Sequence, residues 1–115
     1  MQRECLHPPT AALGCGLRRL VAILEGSNLV ISPDTGPLHL AGAVGRPVIG
    51  LYGYNSPARV GPWRQDPNLL VDAYHETGEQ PKMTFQHRKG RMNRITVEDV
   101  LEKVEIWQKK QTQNR

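Results

Sequence analysis

The stretch SPDTGPLHLAGAVGRPVIGLYG, residues 32–53, contains the end of one strand, a turn, a helix and a second strand. The apolar run at residues 29–31 just before it is typical of a strand buried on both faces. Pro33 predicts the end of that strand, because proline cannot donate to a central ladder. Val48–Tyr52 is predicted as the next parallel strand. The sequence therefore predicts one tight βαβ crossover.

The helix of this crossover has clear signals at both ends. Residues 34–36 offer turn and N-cap chemistry, and Pro37 suits the first helical position, where a missing N–H costs nothing. Gly45 and Pro47 predict the end of the helix after Val44.

The start of this helix is suited to binding an anion. Unpaired N–H groups and the positive end of the peptide dipoles can hold a phosphate there, and Thr35, Gly36, Leu38 and His39 are the candidate amide donors. The Thr35 hydroxyl and the His39 ring are further candidate donors. Asp34 would repel a pyrophosphate, so it is predicted to cap the helix, orient the turn or accept from a sugar hydroxyl.

The same residues also make a good purely structural helix start. The small residues 41–43 would then serve only to let the helix pack closely on the sheet. Spacing alone leaves the binding and structural interpretations open.

The residues DTGPLHLA at 34–41, with GRPVI at 45–49 and LYG at 51–53, closely resemble the signature segment of glycosyltransferase family nine. These enzymes are the ADP-heptose:lipopolysaccharide heptosyltransferases and their relatives. The likeness extends over residues 13–108. It implies an α/β fold, namely a partial Rossmann-like three-layer α/β/α domain with a parallel sheet, from the C-terminal half of a GT-B enzyme.

The resemblance also implies a site that holds the diphosphate of a nucleotide sugar such as ADP-heptose, with a lipopolysaccharide core or another glycan as acceptor. It implies no metal and no cofactor. Its diphosphate-binding positions correspond here to Asp34, Thr35, Gly36, Leu38 and His39. Secondary candidates beside the same cleft are Gly53, Asn55 and Arg59.

The chain has 115 residues, whereas two Rossmann-like domains need on the order of 150 residues each. The family's acceptor-side domain, with its catalytic carboxylate, has no counterpart here. We therefore expect a piece of the enzyme that lacks an identifiable catalytic base and is inactive alone, completed by an N-terminal domain or by self-association. A partial parallel sheet would also expose an apolar edge.

The chain carries a formal net charge of +4 and a pI near 9.4. Much of the excess lies in one segment without acidic residues, at Lys82, Arg88, Lys89, Arg91 and Arg94. The alternative function is a non-enzymatic basic module that binds nucleic acid or an acidic polymer. Because Phe85 is the only aromatic residue there, nucleic acid is the less favoured partner, and a solvated loop is the simpler interpretation.

Cys5 and Cys15 lie apart and show no metal-binding spacing, so a reduced thiol pair is expected. No segment has the apolar length of a transmembrane helix or of a signal peptide. These features predict a cytoplasmic protein, with peripheral contact at the inner face of the membrane through its acceptor.

The rest of the chain completes a single predicted domain over residues 1–115, with an irregular N-terminus at 1–13 and a polar tail at 109–115. An amphipathic helix is predicted to begin near Leu17 and to end at Gly26, and a third strand is predicted at 69–71.

The region between these elements and the C-terminus is predicted to be mainly loop. The loop at 54–66 is long enough to be an active-site element, and Trp63 within it is predicted to anchor the loop or to stack on a ligand. Residues 74–94 are predicted as loop, with His75 and His87 isolated.

The last helix is predicted to open at Thr96 with a capping box formed with Asp99. Its predicted buried stripe comprises Val97, Val100, Leu101, Val104 and Trp107.

Overall fold

The structure is a computed structural model that describes residues 9–12, 14, 16–57, 61, 66–80 and 86–113. Its helices and strands follow the chain as α1 (Leu17–Glu25), β1 (Val30–Pro33), α2 (Gly36–Ala43), β2 (Val48–Tyr52), β3 (Leu70–Asp72) and α3 (Val97–Gln113). Short 3-10 helices at Pro67–Leu69 and Arg91–Arg94 precede β3 and α3. The predictions for Cys5, Cys15, Arg59, Trp63 and Lys82 fall outside the described residues.

The sheet of the described residues is parallel and has the order β1-β2-β3. Val30 pairs with Val48 and Pro33 with Leu51, so β1 and β2 reach the same edge of the sheet. Pro33 is the last residue of β1, which lies at the edge, where a missing N–H is tolerated. The predicted α/β fold with a parallel sheet is confirmed, and β3 begins one residue later than predicted.

The end of α2 is a Schellman motif. The Gly45 N–H donates to the Gly42 carbonyl oxygen at 3.1 Å, and the Arg46 N–H donates to the Ala41 carbonyl oxygen at 3.0 Å. Gly45 has φ +78°, a left-handed conformation that glycine adopts at little cost. This motif turns the chain back toward β2 within a few residues.

Two apolar clusters cover opposite faces of the sheet. The first joins α1 and α2 to the sheet and contains Leu24, Val30, Leu38, Ala41, Val48 and Tyr52. The second contains Ile49, Leu69 and Val71, against which residues of α3 pack. The domain therefore has helix, sheet and helix layers.

The start of α3 has the predicted reciprocal capping box. The Asp99 N–H donates to Thr96 Oγ1 at 3.1 Å, and the Thr96 N–H donates to Asp99 Oδ2 at 2.9 Å. The helix then continues to Gln113, into the predicted polar tail.

The predicted buried stripe of α3 is wrong at its N-terminal end. Val97 is 70% exposed and Leu101 is 53% exposed. The predicted Val104 and Trp107 do pack against the sheet, together with Ile106, which was not predicted. The reason is that α3 lies over β2, β3 and the 3-10 helix before β3, so its C-terminal half has the apolar partners.

Candidate functional site

The N-terminus of α2 lies at the carboxyl end of β1, and the side chains at its start point in different directions. Thr35 is the N-cap residue and is exposed, but its side chain makes no capping hydrogen bond. Its hydroxyl donates to the Pro33 carbonyl oxygen at 3.3 Å, toward the strand. The Leu38 side chain is fully buried, while Gly36 and His39 are exposed.

The predicted amide donors are not equivalent. The Leu38 N–H donates to the Thr35 carbonyl oxygen at 3.1 Å, so a ligand at that amide would share it with the turn. Apart from its chain neighbours and the backbone of α2 itself, no atom of the described residues lies within 4 Å of the position that a Cβ at Gly36 would take. The open side of the helix start is therefore at Gly36, next to Thr35 and His39.

Asp34 connects the helix start with the end of β2. Its Oδ1 lies 2.8 Å from His39 Nε2, and its Oδ2 accepts from Asn55 Nδ2 at 2.7 Å. Asn55 Oδ1 in turn lies 2.6 Å from His87 Nδ1. We call the four residues His39, Asp34, Asn55 and His87 the Asp34 network.

The carboxylate of Asp34 is nearly enclosed, with 12% of its side chain exposed. Both oxygens are used by side-chain partners, so the predicted capping role is wrong: Thr35 occupies the N-cap position and Asp34 is turned toward β2. Burial raises the pKa of the nearby Tyr52 hydroxyl, and the negative charge of Asp34 raises it further.

A small cavity of about 100 Å³ lies between the ends of β1 and β2. Its lining includes Asp34, Gly53 and Asn55, three of the predicted site residues, together with Tyr54 and Met92. The volume suits a single phosphoryl or sugar substituent, since sites for whole drug-sized ligands measure about 300–1,000 Å³. These residues therefore lie together at the carboxyl ends of the two strands.

Gly53 lies where two stretches of backbone touch. A Cβ at this position would come within 2.7 Å of the Met92 backbone nitrogen and 2.9 Å of the Arg91 carbonyl carbon. The 3-10 helix Arg91–Arg94 therefore rests directly on the end of β2, and only glycine permits this approach.

His87 is a member of the Asp34 network that the sequence did not reveal. The sequence suggested an isolated histidine, but its ring stacks on Tyr54, with ring centroids 4.3 Å apart and 4° between the planes. The Arg88 N–H donates to the Tyr54 carbonyl oxygen at 3.0 Å and holds the same segment in place. Asn55 and His87 are 32 residues apart in the chain, and no local pattern relates them.

The arginines of the basic segment are paired with carboxylates, which corrects the expectation of a solvated loop. Arg88 makes two hydrogen bonds to Glu79, at 2.8 and 3.1 Å. Glu76 accepts from Arg91 at 2.5 Å and from Arg94 at 3.1 Å. Lys89 is exposed. These pairs attach the segment to the turn that follows β3.

A larger cavity of about 300 Å³ lies between the end of β3 and α3 and contains none of the predicted site residues. Three carboxylates line it, from Asp72, Asp99 and Glu102. Arg94 and Lys103 line it as well, so the cavity presents both signs of charge.

A helix N-terminus that opens at the carboxyl end of a parallel strand is the ligand-binding arrangement of open α/β domains. The chain belongs to glycosyltransferase family 9: the model of that family, described as glycosyltransferase family 9 (heptosyltransferase), matches residues 6–90. This confirms the resemblance found in the sequence.

One curated relative is the lipopolysaccharide core heptosyltransferase OpsX of Haemophilus influenzae, which is 37% identical over 107 residues. The match covers 84% of this chain and 30% of the relative, so the chain spans less than a third of that protein's length. No solved structure matches the chain.

Two features are absent from the described part of the chain. No helix there is long and apolar enough to cross a membrane. No three His, Cys, Asp or Glu side chains gather there in a way that would hold a metal ion.

Replacing Gly53 by alanine should destabilise the domain by about 1–3 kcal/mol, because the new methyl group would displace the backbone of the Arg91–Arg94 helix. Urea unfolding followed by circular dichroism measures the effect. Gly36→Ala is the matched control, since a Cβ there meets open space and stability should change little. Equal stability of the two variants would contradict the contact at Gly53.

Replacing Glu76 by glutamine should lower the melting temperature near neutral pH and have little effect in acid. The hydrogen bond from Arg94, and then the charge of Arg91, lower the pKa of Glu76 from its usual 4.5. A lowered pKa means that the stabilisation is present above the unfolded-state pKa and disappears as the pH falls through the folded-state value.

The measurement is the melting temperature of wild type and Glu76→Gln from about pH 7 down to about pH 3. Glu105→Gln, at an exposed glutamate of α3, is the control. The difference between its melting temperature and that of the wild type should not shrink as the pH falls. A difference between wild type and Glu76→Gln that stays constant with pH would contradict the ion pairs.

Proposed function

We propose that this chain supplies the donor-binding part of a glycosyltransferase that moves a heptose, or a related sugar, from a nucleotide diphosphate sugar to a lipopolysaccharide core acceptor. The observation that carries the proposal is the open N-terminus of α2 at Gly36, beside the Asp34 network and inside the matched region of the family. The name of the Haemophilus influenzae relative supports the sugar and the acceptor.

In this proposal the diphosphate lies against the start of α2, with Thr35, Gly36 and His39 as its closest contacts. The helix dipole and the backbone N–H groups would stabilise the negative charge that develops on the diphosphate as it leaves. Pairing of Asp34 with His39 would reduce the repulsion between the carboxylate and the phosphates.

The remaining parts of the reaction belong outside this chain in our proposal. The acceptor and the group that takes its proton would lie on a further domain, since the chain spans 30% of its relative. A cytoplasmic location, with contact at the inner face of the membrane, follows from the proposed acceptor.

The ion pairs of the basic segment support this proposal over the alternative of a nucleic-acid or acidic-polymer module. Arg88, Arg91 and Arg94 are already bound to carboxylates, which reduces the free positive charge for a polyanion.

The Gly36→Val variant tests the proposed diphosphate site. Its side chain would fill the open space at the start of α2, so affinity for ADP should fall at least about tenfold. Isothermal titration of the 115-residue chain with ADP measures this. Gly16→Val is the matched control, because Gly16 is also at a helix N-terminus with open space around it, and ADP binding should not change.

Failure of the wild-type chain to bind ADP would overturn the proposed function, and so would equal loss in both variants. The same preparation should show no sugar transfer from ADP-heptose to a lipopolysaccharide core acceptor, because the proposed acceptor-side group is not on this chain. Transfer by the chain alone would overturn that part of the proposal.

A further inference from the structure

His87 lies on a segment that crosses the carboxyl end of β2. Two contacts fix it there: its ring stacks on Tyr54, and the backbone N–H of Arg88 donates to the Tyr54 carbonyl oxygen. The side chain of Arg88 also anchors this segment, because it donates hydrogen bonds to Glu79 and, at 2.7 Å, to the Tyr74 carbonyl oxygen. The position of the His87 ring is therefore set by several independent contacts.

The hydrogen bonds of the Asp34 network converge on the Asp34 carboxylate. Asn55 Oδ1 can only accept, so His87 Nδ1 must carry the proton in the 2.6 Å contact between them. This orients the Asn55 amide with its Nδ2 toward Asp34, where it donates at 2.7 Å. The chain of donors thus leads from His87 through Asn55 to the carboxylate.

At its other end the network reaches the proposed diphosphate site. A carboxylate accepts only, so the His39 Nε2 must also carry a proton in its 2.8 Å contact with Asp34. The ring is held from one nitrogen and its side chain is 47% exposed at the start of α2. The orientation of Asp34 thus decides how the His39 ring is presented to a ligand.

We infer that His87 is a positioning residue of the diphosphate site: through Asn55 it orients the Asp34 carboxylate, which holds the His39 ring beside the start of α2. This inference rests on the proposed function. It joins residues 86–88 to a site whose other members lie between residues 34 and 55. Without the His87 N–H, the Asn55 amide is held only by its hydrogen bond to Asp34, so the position of that donor is less fixed.

The His87→Phe variant separates the hydrogen bond from the stacking. Phenylalanine keeps a flat ring against Tyr54 and removes the N–H that holds Asn55. ADP binding by the 115-residue chain should weaken about three- to tenfold, the usual effect of losing one such bond. Lys89→Gln removes a neighbouring exposed cation and should change binding less than about twofold at physiological salt.

A double-mutant cycle with His39→Ala distinguishes positioning from a general structural effect. If His87 acts through His39, adding His87→Phe to His39→Ala should weaken ADP binding no further. Independent effects would instead multiply, and that result would overturn the inference. Unchanged binding by His87→Phe alone would overturn it as well.

The two proposals fail in different ways. If the wild type does not bind ADP, the proposed donor site is wrong. If the wild type and His87→Phe bind ADP with equal affinity, only the proposed role of His87 is wrong. If His87→Phe does not fold, as judged by circular dichroism, Asn55→Ala takes its place, because it removes the same hydrogen bond between His87 and Asn55. Weaker ADP binding by Asn55→Ala supports the inference, and unchanged binding overturns it.

Discussion

The parallel pairing of β1 with β2 brings the two halves of the candidate site together. With Pro33 opposite Leu51, both strands end at one edge, so Asp34 and Asn55 leave the sheet side by side. A shift of two residues in this register would move Asn55 by about 7 Å along the strand direction and break its hydrogen bond to Asp34. The Schellman turn at Gly45 supports the register, because it sets how soon the chain re-enters the sheet.

The Asp34 network also explains how a carboxylate can lie beside a helix start that is suited to an anion. An unpaired, nearly enclosed carboxylate would be costly and would repel phosphate. Hydrogen bonds from His39 and Asn55 satisfy both of its oxygens. The carboxylate thereby becomes part of the framework that holds the neighbouring side chains, and its two oxygens face His39 and Asn55 rather than open solvent.

The features that the sequence predicted well are local. Pro37, Gly45 and the Thr96–Asp99 box act on the backbone within a few residues. Gly45 and the box have their expected roles, and Pro37 lies in the first turn of α2, one residue after the predicted first helical position. The features that it did not predict depend on residues far apart in the chain. His87 with Asn55, and Arg94 with Glu76, meet only because the loop after β3 folds back over the sheet.

The predictions that were wrong, for Asp34 and for the start of α3, also depend on contacts between residues far apart in the chain. Asp34 has good capping chemistry, but tertiary partners compete for its oxygens and Thr35 takes the N-cap position. Val97 and Leu101 follow helical periodicity, yet the sheet lies opposite only the later turns of α3. Periodicity predicts which residues share a helix face and leaves open how far along the helix that face finds a partner.

The order of the strands also has a consequence for biosynthesis. Because β1, β2 and β3 are neighbours in the order in which they are synthesised, each can add to the free edge left by the previous one as the nascent chain leaves the ribosome. None of these three described strands has to insert between the other two.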